Sequence, residues 1–227
     1  MEHAMKIIAR ICSEFPTKFG IPRQSGLVPE TRATVVFEPE YRNPDALRGI
    51  EGFSHLWLIW EFSEAVRTDW SPTVRPPRLG GNTRLGVFAT RSPFRPNPIG
   101  LSCVCLESVE KTERDGTVLV VSGADLMDGT PIFDIKPYLP YADAQPEATG
   151  GFTADAGDFL LQVELPAALE AKIPAPHRAA LRGVLSHDPR PSYQADSGRV
   201  YAMRFLEFDV RFTVEGGVLT VCGVERV

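Results

Sequence analysis

Four loops carry the side chains that could do chemistry. In TRSPFRPNPIG (90–100), Arg91, Ser92, Arg95 and Asn97 stand among Pro93, Pro96 and Pro98. Proline fixes φ and has no N–H for a sheet ladder, so this reads as a stiffened loop between two strands. In PRQSGL (22–27), Gly26 could let a backbone approach a ligand closely, with Arg23 and Gln24 as polar handles. A plain turn is the competing reading there. In GADLMDGTP (123–131), Asp125 and Asp128 flank apolar residues at a strand end. They suit either a cationic or hydroxyl-rich ligand, or an Asx-turn. In SHDPRPSY (186–193), Arg190 offers a phosphate clamp and Tyr193 a stacking or hydroxyl group. The alternative is a set of surface residues after a proline helix stop.

The charge pattern singles out the first loop. The chain of 227 residues has a net charge of −5, which argues against general affinity for nucleic acid. Yet no acidic residue lies between Trp70 and Leu106, where Arg75, Arg78, Arg84, Arg91 and Arg95 all fall. A local basic patch on an acidic chain suits a phosphate-bearing ligand bound at one place, or else a solvated arginine surface.

Other classes of chemistry lack their signatures. No GxGxxG follows a strand, LGGNTRLG lacks the Walker Lys-Ser/Thr, and neither GxSxG nor HExxH occurs. Cys12, Cys103, Cys105 and Cys222 form no CxxC pair, and the four histidines are scattered, so no metal site is expected. No apolar run reaches the roughly 20 residues that span a bilayer, and the N-terminus does not read as a signal peptide. A reduced, cytoplasmic protein that keeps clear of membranes is the simplest expectation.

The elements that must position these loops are mostly strands. KIIARIC (6–12), TRATVVFEP (31–39), HLWLIWEF (55–62), LGVFAT (85–90), IGLSCVCLESV (99–109), TVLVVSGADL (117–126) and PIFDIKPYL (131–139) are strand-like. Asn43 and Pro44 cap a short helix that Gly49 stops. Arg114-Asp115-Gly116 turns a hairpin. Residues 67–84 form a long loop without periodicity, which in a compact protein is more often functional than idle. After a Pro-, Ala- and Gly-rich stretch at 140–157 come a strand in DFLLQVEL, a helix over 177–185 and one long alternating strand, RVYAMRFLEFDVRFTV. Glu215-Gly216-Gly217 turns that strand into VLTVCGVERV. The expected fold is mainly β: an antiparallel β-barrel domain over 1–142, a linker over 143–157, and a small α+β domain over 158–227.

At these loops the chain resembles a known family. FGIPRQSGL, RGIEGFSHLWLIWEF, RPPRLGGNTRLGVFATRSPFRPNPIGLS, DLMDGTPIFDIKPYLPYAD and HDPRPSY are similar to the tRNA-methyltransferase O (YaeB-like) family. The resemblance implies an S-adenosylmethionine-dependent methyltransferase built on a β-barrel and working as a homodimer. Its implied substrate is a tRNA whose adenosine just 3′ of the anticodon carries threonylcarbamoyl, methylated on the exocyclic nitrogen. Carried over by motif, Ser25, Gly26, Leu27, Arg91, Cys103, Ala124, Asp125, Leu126 and Met127 would lie along the cofactor, as would Glu64 and Ala65. Arg75, Arg78, Arg95, Asn97, Arg190 and Tyr193 would face the tRNA, and Tyr193 or Asp188 would assist the departing proton. Two rivals stay open: a non-catalytic RNA- or nucleotide-binding barrel that kept the loops, and a thiol or metal enzyme using the cysteines.

Overall fold

A computed structural model describes residues 3–76, 79, 82–154, 160–190 and 198–227. The first strands are β1 (Ala9–Ser13), β2 (Arg32–Phe37) and β3 (His55–Glu61). Two short strands follow, β4 (Thr73–Val74) and β5 (Leu85–Gly86), then β6 (Ile99–Thr112), β7 (Gly116–Ser122) and β8 (Pro131–Pro137). Strands β1, β2, β7, β6, β3 and β8 pair in that order, always antiparallel, and β8 returns to β1, so the sheet closes into a ring. Closure leaves these strands without a free edge. The period-two alternation of each strand fills the ring: Leu56, Leu58 and Trp60 of β3 meet Ile11, Val35, Leu119 and Ile132.

A second core lies beyond the ring. It is built on β9 (Gln162–Glu164), β10 (Tyr201–Phe205), β11 (Phe208–Glu215) and β12 (Val218–Arg226), ordered β10-β11-β12-β9 with β9 parallel to β12. Helices α2 (Ala167–Glu170) and α3 (Arg178–Ser186) accompany it, whereas α1 (Pro140–Asp143) follows β8 and stays on the ring, with Trp57 Nε1 of β3 donating to Asp143 Oδ2 at 3.1 Å. In α3, Ala180, Leu181, Val184 and Leu185 are buried, a one-sided spacing that turns a single stripe onto the sheet. Phe15 and Val28, which belong to the segment between β1 and β2, are part of this second core. That segment therefore crosses from one core to the other.

Glu14 is the knot of that crossing. It is 2% exposed. Its Oε1 meets His177 Nδ1 just before α3, its Oε2 accepts the Arg32 N–H at 3.2 Å, and its carbonyl accepts the Leu206 N–H at 2.8 Å. One residue thus joins the end of β1, the start of β2, the β10–β11 turn and the start of α3.

The fold is mainly β, as expected, with local departures. Residues 86–90 are not a strand: pairing stops at Gly86, and Val87–Ala89 is a 3₁₀ turn that buries Val87. The long strand expected over 199–214 is instead the hairpin β10–β11, turned at Leu206 with φ of 53°. A non-glycine residue in the left-handed region is held there by packing of Leu206 on the second core and by its hydrogen bond to Glu14. No glycine, proline or asparagine marks that turn in the sequence. The helix after Asn43 is a single 3₁₀ turn, Pro44–Leu47, with the Asn43 side chain accepting from the Asp45 N–H at 3.0 Å. The loop over 67–84 is partly organised by the β4–β5 ladder.

Burial raises the Glu14 carboxyl above its ordinary value, opposed by the hydrogen bonds from His177 and Arg32. The folded state therefore favours the protonated form. That contribution is present below the ordinary carboxylate range and is lost as pH rises through the folded-state value. In Glu14→Gln the melting temperature should lose this part of its pH dependence in the range above about pH 4, the ordinary glutamate value. A difference between wild type and variant that stays constant over that range would overturn the assignment.

Candidate functional site

A cavity of about 460 Å³ opens at one end of the ring. The proline loop contributes Arg91, Phe94 and Arg95 to its wall, the segment after β1 contributes Lys18, Arg23 and Gln24, and the 3₁₀ turn after β3 contributes Glu64 and Ala65. Asp125 and Met127 come from the turn after β7. Three of the four loops singled out in the sequence meet here.

The floor of the cavity is a buried hydrogen-bond chain. Trp60 Nε1 donates to Ser102 Oγ at 2.9 Å, and Ser102 Oγ donates to Asp125 Oδ1 at 2.5 Å. The backbone N–H of Ser25 also reaches the Asp125 carboxylate. Burial still pushes the Asp125 acid up, against these hydrogen bonds and the nearby Arg91 charge. A half-buried carboxylate held from behind in a largely apolar cavity is well placed to receive a cation. The chain exists because of Gly100, which lies opposite Trp60 across the β3–β6 pair. A Cβ at position 100 would sit 2.3 Å from the Trp60 ring, so only glycine lets the indole lie flat over the strand.

Two loops lock together behind Asp125. The Gly26 N–H donates to the Gly123 carbonyl at 2.8 Å, and a Cβ on Gly123 would come within 3.3 Å of Gly26 Cα. Both glycines have positive φ, 78° and 72°. The close backbone approach expected of Gly26 is thus made to Gly123. Where β7 ends, the Cys103 N–H lies beyond its pairing with β6, and Ser25 Oγ accepts it at 3.1 Å. Ser25 so continues the ladder and fixes its own loop against β6.

The proline loop is braced by its own backbone. The Arg95 N–H donates to the Pro93 carbonyl at 2.9 Å and the Ile99 N–H to the Asn97 carbonyl at 2.7 Å, two three-residue turns. The Phe62 N–H donates to the Pro98 carbonyl at 2.8 Å, tying the loop to the end of β3. Arg95 Nη1 reaches back to the Thr90 carbonyl at 3.2 Å, and Arg91 Nη1 meets Gln24 Oε1 across the cavity. Lys18 Nζ donates to the Glu64 carbonyl at 2.9 Å and pins the opposite wall.

The structure brings Glu64, Ala65, Arg91, Asp125, Met127 and Arg95 to the cavity wall. Ser25, Gly26 and Cys103 stand behind it, in the contacts above. Ala124 and Leu126 are buried in the ring core and Leu27 packs on the second core, so these three shape the loops from inside. Arg75 and Asn97 are exposed on the basic segment. Arg78 and Tyr193 lie outside the described residues. Asp188 and Arg190 turn out to be each other's partner: both guanidinium contacts measure 2.8 Å, and the Arg190 side chain is 15% exposed. That pairing raises Arg190 further above its ordinary value. Arg23 joins the pair to the cavity rim, with Nη2 donating to the carbonyls of both residues at 3.3 Å. Trp60, Gly100 and Ser102 escape a reading by motif. A glycine inside the strand-like run IGLSCVC was the one signal that could have pointed to them.

Among the described residues no group of three or more His, Cys, Asp or Glu is placed to hold a metal ion, and no helix is long and apolar enough to cross a membrane. The Cys103 thiol is pushed up, first by burial, away from the reactive thiolate range.

Comparison with known proteins points in one direction. The description "tRNA-methyltransferase O N-terminal domain" matches residues 10–144, and "TrmO C-terminal domain" matches 158–227. The tRNA (adenine(37)-N6)-methyltransferase of Escherichia coli is 41% identical over 226 residues, covering 96% of both chains. A Pseudomonas aeruginosa protein named as a putative S-adenosylmethionine-dependent methyltransferase is 43% identical, covering 93% of both. The crystal structure of TrmO from P. aeruginosa superposes with a TM-score of 0.80 at 36% identity, over 100% of this chain and 98% of that one.

The hydrogen-bond chain on the cavity floor makes a stability prediction. Ser102→Ala leaves Trp60 and Asp125 without their shared partner and should cost about 1–3 kcal/mol. Gly100→Ala forces the Trp60 ring aside at a cost of about 1–3 kcal/mol. Because both break one chain, the double variant should lose clearly less than the sum in denaturant unfolding. Strict additivity would mean that the chain is not a unit.

Proposed function

Because the chain belongs to the tRNA-methyltransferase O family, we propose that it methylates the exocyclic nitrogen of adenosine 37 in tRNA with S-adenosylmethionine as donor. The finer reading is that the adenosine already carries threonylcarbamoyl. The observation that carries the proposal is the cavity with Asp125 at its floor. Its volume, about 460 Å³, suits a nucleoside-sized ligand, since such sites run from about 300 to 1,000 Å³.

When bound, S-adenosylmethionine supplies a methyl group already activated by a sulfonium. Asp125 would face that cationic ligand, and the Ser25-Gly26-Leu27 and Ala124–Met127 loops would line its length, with Cys103 behind them. Arg91 and Lys18 offer opposite charge to the carboxylate end, and Glu64 and Ala65 form a further stretch of wall. Arg75, Arg78, Arg95, Asn97, Arg190 and Tyr193 are assigned to the tRNA side. The work of the protein is then alignment: orientation of the two reactants can lower a barrier by about 7–11 kcal/mol. Braced backbone around Arg91 and Arg95 serves that need. The departing proton requires an acceptor, and HDPRPSY supplies Asp188 and Tyr193 as candidates. Asp188, already paired with Arg190, is the less available of the two.

We also read the strand ring as a small antiparallel β-barrel, with domains over 1–142 and 158–227 joined by 143–157. A cytoplasmic homodimer completes the proposal.

Tritium transfer from labelled S-adenosylmethionine to tRNA carrying threonylcarbamoyladenosine tests it, with the same tRNA lacking that modification as control. Transfer to the modified tRNA alone is expected. Binding of both ligands without transfer would favour the non-catalytic RNA-binding reading. Asp125→Asn should weaken S-adenosylmethionine binding by about tenfold or more, as for loss of a charged hydrogen-bond partner. Unchanged affinity would remove Asp125 from the cofactor side.

A further inference from the structure

Beside the main cavity lies a second one of about 230 Å³, and the two share Ala65, Phe94 and Arg95. Its surroundings are unusual for a soluble surface. Trp70 is 53% exposed, Phe88 72% and Phe94 40%. The Trp70 and Phe88 rings lie 6.2 Å apart with 30° between their planes. Arg67 sits over Phe94 at 3.9 Å and Arg95 over Phe88 at 6.0 Å. The arm that presents them is held by defined backbone contacts: β4 pairs with β5, and the Val87 N–H donates to the Pro72 carbonyl at 3.0 Å. Large aromatics held outward by fixed backbone, with guanidinium groups over them, form a platform, since burying them would otherwise be favourable.

The charge of the surroundings selects the occupant. Arg67 and Arg95 line this cavity, Arg75 and Arg84 follow along the same segment of the chain, and Asp69 is the carboxylate lining it among the described residues. Every nucleobase has a π-face, and stacking on aromatic or guanidinium planes is how proteins hold unstacked bases beside a basic track for the backbone. We propose that this second cavity is a base-stacking annex: bases flanking the target adenosine, which must approach the mouth of the main cavity, lie on Trp70, Phe88 and Phe94, with Arg67 and Arg95 toward their phosphates. This rests on the RNA reading above and adds to it which surface opens the anticodon loop. The shared wall is the reason. An adenosine presented at the mouth of the main cavity has its neighbours on the side of Phe94 and Arg95, which both cavities share.

The test uses the full chain, a short anticodon stem-loop RNA and a blunt RNA duplex of equal length. The stem-loop should quench Trp70 fluorescence, a quench missing in Trp70→Phe, while the duplex causes none. Trp70→Ala and Phe88→Ala should each weaken stem-loop binding about tenfold or more, whereas Trp70→Phe, which keeps a ring, should stay within about threefold. S-adenosylmethionine affinity and melting temperature should stay near wild type in all three variants. Stem-loop binding by the alanine variants within about twofold of wild type would overturn the annex alone. So would weakening that only follows a changed oligomeric state in sedimentation, which would make this face a contact between copies. A wild-type protein that binds no stem-loop would overturn the RNA reading and the annex with it.

Discussion

The arrangement depends on one buried carboxylate. Glu14 stands where the chain leaves the strand ring, and its side chain and carbonyl hold His177, Arg32 and Leu206 at once. A buried acidic group is costly unless it is hydrogen-bonded, so these contacts are constrained together. Their effect is to commit residues 14–30 to a path between two cores. Phe15 and Val28 anchor that path in the second core, and what lies between them is the loop that reaches the cavity. Lys18, Arg23 and Gln24 wall the cavity because the ends of their segment cannot move independently.

The cavity inherits its rigidity from backbone more than from side chains. The Gly26–Gly123 contact and the two tight turns among the prolines are main-chain devices, and the Ser25 hydroxyl adds a short side chain that continues the β6 ladder. Polar side chains then need little adjustment of their own. Asp125 is held from behind by Ser102 and Ser25 with Arg91 near it, so its carboxyl group is oriented before any ligand arrives. A methyltransferase reaction fits such a site because its barrier depends on alignment of the two reactants.

Much of this was legible before any coordinates. The antiparallel strands followed from alternation and turn residues, and the Glu215-Gly216-Gly217 hairpin follows from two glycines that sit at φ of 56° and 83°. The β10–β11 turn was not legible, because Leu206 is held in a left-handed conformation by tertiary packing and by Glu14, with no local residue preference to announce it. The same holds for Asp188 and Arg190. Two positions apart in a proline-rich loop, they read as separate functional groups, and only the folded chain shows a bidentate pair tied to the cavity rim by Arg23.

By itself the sequence determined the mainly β class, the basic segment from Trp70 to Leu106, the stiffness of the proline loop and the family. Each is a property of composition, of residues close in the chain, or of motifs read whole. The tertiary structure alone decided which loops converge, that Trp60 and Ser102 stand behind Asp125, and that Gly100 makes room for them. Trp60 and Ser102 are 42 residues apart, and Ser102 and Asp125 are 23. Their contacts arise from strand register around a closed ring, a non-local quantity that no short window of sequence contains.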